Sequence, residues 1–116
     1  MPAPELVLCG GIAVKIYIAG KISGDPEYRK KFACAARQVE ACGHIALNPA
    51  ELPEGMTPEE YMRICFAMLD VADEMWYLAD AADSPGAFLE VQYCRYVKKR
   101  VRRFSEAVDE EQAWRD

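Results

Sequence analysis

The stretch VKIYIAGKISGDPEY, residues 14–28, decides the fold class. Val14 to Ala19 is a short β-rich run that stops at Gly20, and KISGD after it has the composition of a turn. Asp25-Pro26 then offers an N-cap and a proline at the first helical position. Beyond it Tyr28, Phe32, Ala35, Val39 and Cys42 recur at helical spacing, and Gly43 supplies the stop. Strand, polar loop, helix: this is the first half of a βαβ unit.

The same grammar repeats outward from there. HIALN, 44–48, is a second strand closed by Pro49, and the loop NPAELPEGM leads to Thr57-Pro58-Glu59-Glu60. Threonine followed three residues later by glutamate is a capping box, again with proline at the first helical position. The helix behind it carries Tyr61, Ile64, Cys65, Met68 and Leu69 on one face. EMWYLA, 74–79, is a third strand, DAAD a loop, and Ser84-Pro85 a third cap-plus-proline start for a helix running to about Val97. RVRRF, 100–104, is a fourth strand, and SEAVDEEQAW, 105–114, a short acidic helix, amphipathic through Ala107, Val108 and Trp114.

Strands alternating with helices require right-handed crossovers and a parallel sheet covered on both faces. The expected fold is α/β: a three-layer α/β/α domain on a small Rossmann-like (flavodoxin-like) parallel sheet of four or more strands. With 116 residues the chain forms a single domain, 1–116, with residues 1–12 as a loose leader and 105–116 as a C-terminal helix.

Composition narrows the function. A hydrophobic content of 52% with 28% charged residues is that of a soluble globular protein. A net charge of −5 argues against nucleic acid as a partner, and RYVKKRVRR, 95–103, reads as a solvated helix end and an edge strand. Cysteines at 9, 34, 42, 65 and 94 are odd in number and form no C-x-x-C pair, and His44 has no close cysteine. Free thiols in a reducing cytoplasm follow, with neither a disulfide framework nor a zinc site. The N-terminus has no basic region ahead of its apolar residues, so neither a signal peptide nor a membrane span is expected.

In a parallel sheet of this kind ligands bind outside the carboxyl ends of the strands. Three loops leave those ends: AGKISGD, NPAELPEG and ADAADSPG. In the third helix Glu90 lies in the second turn, and side chains lean toward a helix's N-terminus. Glu90 therefore reaches back over Gly86 and Ala87 toward the strand ends. Gly86 makes sense if a ligand approaches the backbone, and equally if helix and strand pack tightly. A solvated Glu90 and an aimed one both fit these features. Tyr17, near the carboxyl end of the first strand, reads as core or site, and Asn48 as ligand contact or loop cap. Asp80 and Asp83 in the third loop are available to recognise a base or supply a proton. His44 and Asp73 fall at the opposite edge. Lys15 and Ile22 break the pattern of an NTP-binding phosphate loop.

IYIAGKISG, NPA and S-P-G-A-F-L-E, in this order and spacing over Val14 to Val101, resemble the nucleoside 2-deoxyribosyltransferase-like superfamily. The closest likeness is to its short phage and bacterial branch, related to the 2′-deoxynucleoside 5′-phosphate N-hydrolases. The resemblance implies retaining attack on the N-glycosidic bond of a deoxynucleoside or its monophosphate, with no metal and no cofactor. It assigns Glu90 as nucleophile and Tyr17 as its partner, and places substrate contacts at Gly20, Ile22, Ser23, Gly24 and Ser84; the reading of the residues themselves adds Asn48, Asp83, Gly86 and Ala87 as substrate-binding candidates. It also implies a homo-oligomer in which a neighbouring subunit completes the site.

The pattern departs from that family at three positions. Serine stands at 84 where the transferases have aspartate, with Asp83 adjacent, and this leans toward a phosphorylated substrate. A second family aspartate falls on Cys65 by spacing, and the phosphate-holding arginine of the nucleotide hydrolases falls on Ser23. The alternative function is therefore a nucleotide-binding or sensing module that keeps the pocket without the chemistry.

Overall fold

In a computed structural model of the chain, residues 7, 8 and 11–113 are described; Cys9, Trp114 and most of the leader lie outside them. Four strands form one parallel sheet: β3 (Lys15–Ala19), β4 (Ile45–Leu47), β5 (Glu74–Tyr77) and β6 (Arg100–Arg103), in the order β4-β3-β5-β6. Between and after them run α1 (Tyr28–Ala41), α2 (Pro58–Val71), α3 (Pro85–Tyr96) and α4 (Phe104–Ala113). Within the stretch read as a leader, β1 (Val7–Leu8) pairs antiparallel with β2 (Gly11–Ile12).

The chain starts in the middle of the sheet, steps to one edge, then crosses back and continues to the other. Right-handed crossovers put helices entered in opposite directions on opposite faces. Ile16 and Ile18 of β3 accordingly pack with Phe32 and Val39 of α1 and with Phe104 and Val108 of α4. Tyr17 and Ala19 point the other way, to Cys65 and Leu69 of α2 and to Val91 and Cys94 of α3. Between β3 and β5 the outgoing connections diverge to opposite faces, which opens a crevice at the carboxyl ends.

The second and third helices begin as the sequence requires. Thr57 Oγ1 accepts from the Glu60 amide and Glu60 Oε1 from the Thr57 amide, at 3.2 and 2.8 Å, so the capping box is closed in both directions. Ser84 Oγ accepts from the Ala87 amide at 3.3 Å. The first helix corrects its expectation: it starts at Tyr28, after Glu27, and Asp25 does not cap it. Asp25 instead accepts from the Glu27 amide at 2.9 Å and pairs with Lys31 at 2.6 Å, so a loop network has claimed the side chain. Ile64, expected on the inward face of α2, sits at its margin and is exposed, whereas Cys65 and Leu69 are buried. Phe104 ends no strand; it is the first residue of α4 and packs edge-on against Trp76.

Candidate functional site

Helix α3 has an inverted pattern. Its buried stripe is Ala87, Glu90, Val91 and Cys94, while Phe88 and Leu89 are about half exposed at 53% and 49%. A helix obeying burial alone hides the phenylalanine and shows the glutamate to water. Here the carboxylate is 7% exposed, and the reason lies in its surroundings.

Glu90 reaches the end of β3, where the Tyr17 hydroxyl donates to Glu90 Oε2 at 2.9 Å. The Cys65 thiol of α2 lies beside the same hydroxyl. No lysine, arginine or histidine pairs with Glu90 among the described residues. Burial therefore dominates and pushes the Glu90 carboxyl up to about 7, while the hydrogen bond from Tyr17 pulls part of the way back. The Tyr17 phenol is raised well above its ordinary value, first by burial and then by Glu90 and Cys65, so it stays protonated and donates. Burial raises the Cys65 thiol as well.

This pair forms the floor of a cleft of about 700 Å³, a size suited to a small organic ligand. One wall is the loop after β3, with Gly20, Ile22 and Ser23; the opposite wall is the start of α3, with Asp83, Ser84, Gly86 and Ala87. The loop after β4 closes over the top through Leu52, Glu54, Gly55 and Met56, and α2 adds Tyr61 and Met62. Tyr61 fastens that loop: its hydroxyl donates to the Pro53 carbonyl at 2.6 Å and accepts from the Met56 amide at 3.4 Å.

Lys31 and Asp80 hold the first and third loops together. The Lys31 ammonium donates to the Lys21 carbonyl at 2.8 Å, to Asp25 at 2.6 Å and to Asp80 at 2.5 Å. Asp80 also accepts from the Lys21 amide at 3.0 Å. Asp80 is thus a brace between walls rather than a free group for a ligand. Sequence reasoning missed Lys31, because Asp80, the partner that ties the two loops together, lies 49 positions away.

Two sequence-assigned contacts need correction. Asn48 is nearly buried and its Oδ1 accepts from the Ala50 amide at 2.9 Å, so it caps the turn Pro49–Glu51 instead of facing the cleft. Gly24 is not among the lining residues; it serves a turn, with φ +84°. Gly20 does line the cleft, but a Cβ there would come within 2.8 Å of Leu78 and 3.1 Å of Phe32, which is a packing reason for glycine. Gly86 is the opposite case. A Cβ there would meet only Met62, at an ordinary 3.8 Å, so packing does not demand glycine and the space lies open on the cleft side.

Tyr61, Met62 and Cys65 were not singled out as lining residues from the sequence. The helical repeat alone carries that signal: Tyr61, Met62 and Cys65 occupy the turns of α2 nearest the strand ends.

A family model described as "Domain of unknown function (DUF4406)" matches residues 14–103. A search of curated proteins gave no match. Among solved structures, a 2-deoxyribosyltransferase from the psychrotolerant bacterium Bacillus psychrosaccharolyticus, described as a suitable biocatalyst for nucleoside synthesis, superposes with a TM-score of 0.57. The two chains are 25% identical, with 75% of this chain and 69% of that one covered. The likeness supports a distant superfamily relationship.

Proposed function

From a chain that belongs to the DUF4406 family and shares the fold of a 2-deoxyribosyltransferase, we propose an enzyme that cleaves or transfers across the N-glycosidic bond of a deoxynucleoside or its monophosphate. The observation that carries this reading is the buried Glu90 carboxylate, without a cationic partner among the described residues, held at 2.9 Å by the Tyr17 hydroxyl on the floor of the cleft.

A carboxylate in that position attacks the anomeric carbon. The bond from Glu90 oxygen to carbon forms as the carbon–nitrogen bond breaks, and the base leaves with the electron pair and takes a proton from solvent. The resulting glycosyl ester is resolved by water, giving free sugar, or by a second base, giving a new nucleoside, with retention in either case. Tyr17 positions the attacking oxygen. Desolvation raises the basicity of the nucleophile, and the positive charge that develops on the sugar favours its ionised form. The enzyme belongs among the phage and bacterial relatives of the deoxynucleotide N-hydrolases. It works in a reducing cytoplasm, without metal or cofactor, as a homo-oligomer.

Glu90→Ala tests the reading by chromatography for free base. The variant keeps its far-UV circular dichroism and loses turnover by roughly 10⁴-fold, as removal of a covalent nucleophile does. Turnover equal to the unaltered protein's would remove Glu90 from the mechanism. A second reading, a nucleotide-binding module without chemistry, is favoured by the thiol of Cys65 beside Tyr17, where the resemblance calls for a carboxylate. It requires ligand-dependent thermal stabilisation with no base released on long incubation.

A further inference from the structure

We propose that this cleft accepts an uncharged nucleoside and rejects the corresponding 5′-monophosphate. The inference rests on the reading above, in which the anomeric carbon sits at Glu90, and it reverses the lean toward phosphate that Ser84 gave in the sequence.

The charge of the walls is the first reason. Glu54, Asp83 and Glu90 line the cleft, and no lysine, arginine or histidine is among the lining residues. The cations nearby stand outside the lining. Lys31 has three acceptors, Asp25, Asp80 and the Lys21 carbonyl, for its three N–H groups. The Lys21 side chain lies against Gly24, on the turn outside the cleft. Arg29 stacks 5.4 Å from the Tyr28 ring centre and donates to the Leu52 carbonyl at 3.4 Å. A phosphate dianion carried into the cleft would meet Asp83 on one wall and Glu54 above it, with no cation in the lining to offset the repulsion.

The second reason is the start of α3, the natural anion site of such a fold. Its first-turn donors are largely spent. Pro85 has no N–H, the Ala87 amide is bonded to Ser84 Oγ at 3.3 Å, and the Phe88 amide to the Ser84 carbonyl at 2.8 Å. What remains is the Gly86 amide and the Ser84 hydroxyl proton, too few for the three oxygens of a phosphate.

A neutral nucleoside suits the same surface. Sugar hydroxyls are donors, and Asp83 and Glu54 are acceptors on exposed, adaptable positions. Tyr28, Tyr61, Met56 and Met62 offer aromatic and thioether surface to the flat face of a base.

Calorimetric titration of the intact protein with each 2′-deoxynucleoside and its 5′-monophosphate, together with assay of base release, tests the proposal. Nucleosides bind at least about 10-fold tighter, and the gap widens as salt is lowered and repulsion is less screened. The double variant Glu54→Gln, Asp83→Asn gains about 10-fold in affinity for the monophosphate, with none gained for the nucleoside. Tighter binding of the monophosphate, no binding of nucleosides, or no gain in the double variant overturns the inference. Nucleosides bound preferentially but never cleaved would leave the inference standing and remove the catalytic reading. Preferential cleavage of monophosphates would do the reverse.

Discussion

The two faces of the sheet treat buried polarity in opposite ways. On the α1/α4 face the large fully buried side chain is Trp76, and every polar group around it has a partner of matching kind. Its indole donates to Glu74 at 3.0 Å, and Glu74 receives Arg102 at 3.0 Å, whose guanidinium lies 5.1 Å from the indole ring centre. His44 meets Trp76 edge-on, accepts from the Val14 amide and contacts Glu111. On the α2/α3 face a carboxylate that is 7% exposed has a phenol and a thiol beside it and, among the described residues, no cation. The first arrangement stabilises a fold. The second costs stability, and such costs concentrate where chemistry is done.

Substitutions on the two faces separate these roles. The largest effect on stability belongs to the structural face: Phe104→Ala, which removes a ring packed 5.7 Å from Trp76, lowers unfolding free energy by about 3–5 kcal/mol in urea titration. The acid limb of kcat/KM, set across the sheet, stays where it was; movement of that limb would mean that the faces are not independent.

Next in size is the cost of Glu90 itself. Its folded pKa, about 7, lies above the ordinary 4.5, so the folded state holds a proton that the unfolded chain gives up. The contribution of Glu90 to stability is therefore fullest below about pH 4.5 and is lost as pH rises through about 7, by about 3 kcal/mol in total. Glu90→Gln has no such loss. The variant is more stable than the unaltered protein at pH 8.5, and the two converge near pH 4.5; equal denaturation midpoints at both pH values would show that Glu90 is not desolvated as described.

The smallest effect sharpens the site. The Tyr17 hydroxyl holds the Glu90 pKa down, so Tyr17→Phe moves the acid limb of kcat/KM upward by about one pH unit, with loss of rate at neutral pH. A downward or absent shift would break the link between the two side chains.

Much of the frame was legible because it rests on local chemistry. Strand runs ending at Gly20 and Pro49, the Thr57 capping box and the Ser84-Pro85 start each follow from the residue at that position. Where the reading slipped, a partner distant in sequence had intervened: Lys31 drew Asp25 away from capping, and the Ala50 amide took the side chain of Asn48. Glu90 could be aimed from helical geometry alone, but nothing local distinguished a solvated carboxylate from a buried one. The exposed Phe88 and Leu89 beside it would have argued the wrong way from hydrophobicity.

The parallel sheet, the helices on both its faces and the three loops at its carboxyl ends were legible in the alternation of strands and helices, because crossover handedness leaves little choice, whereas the order β4-β3-β5-β6 came only with the tertiary structure. The meeting of Tyr17 with Glu90 across 73 positions, the spending of every Lys31 donor, and the absence of cations from the lining were decided only in three dimensions. The reason is physical. A pKa and a charge field depend on how much water has been removed and which groups stand nearby, and neither is set until the layers close.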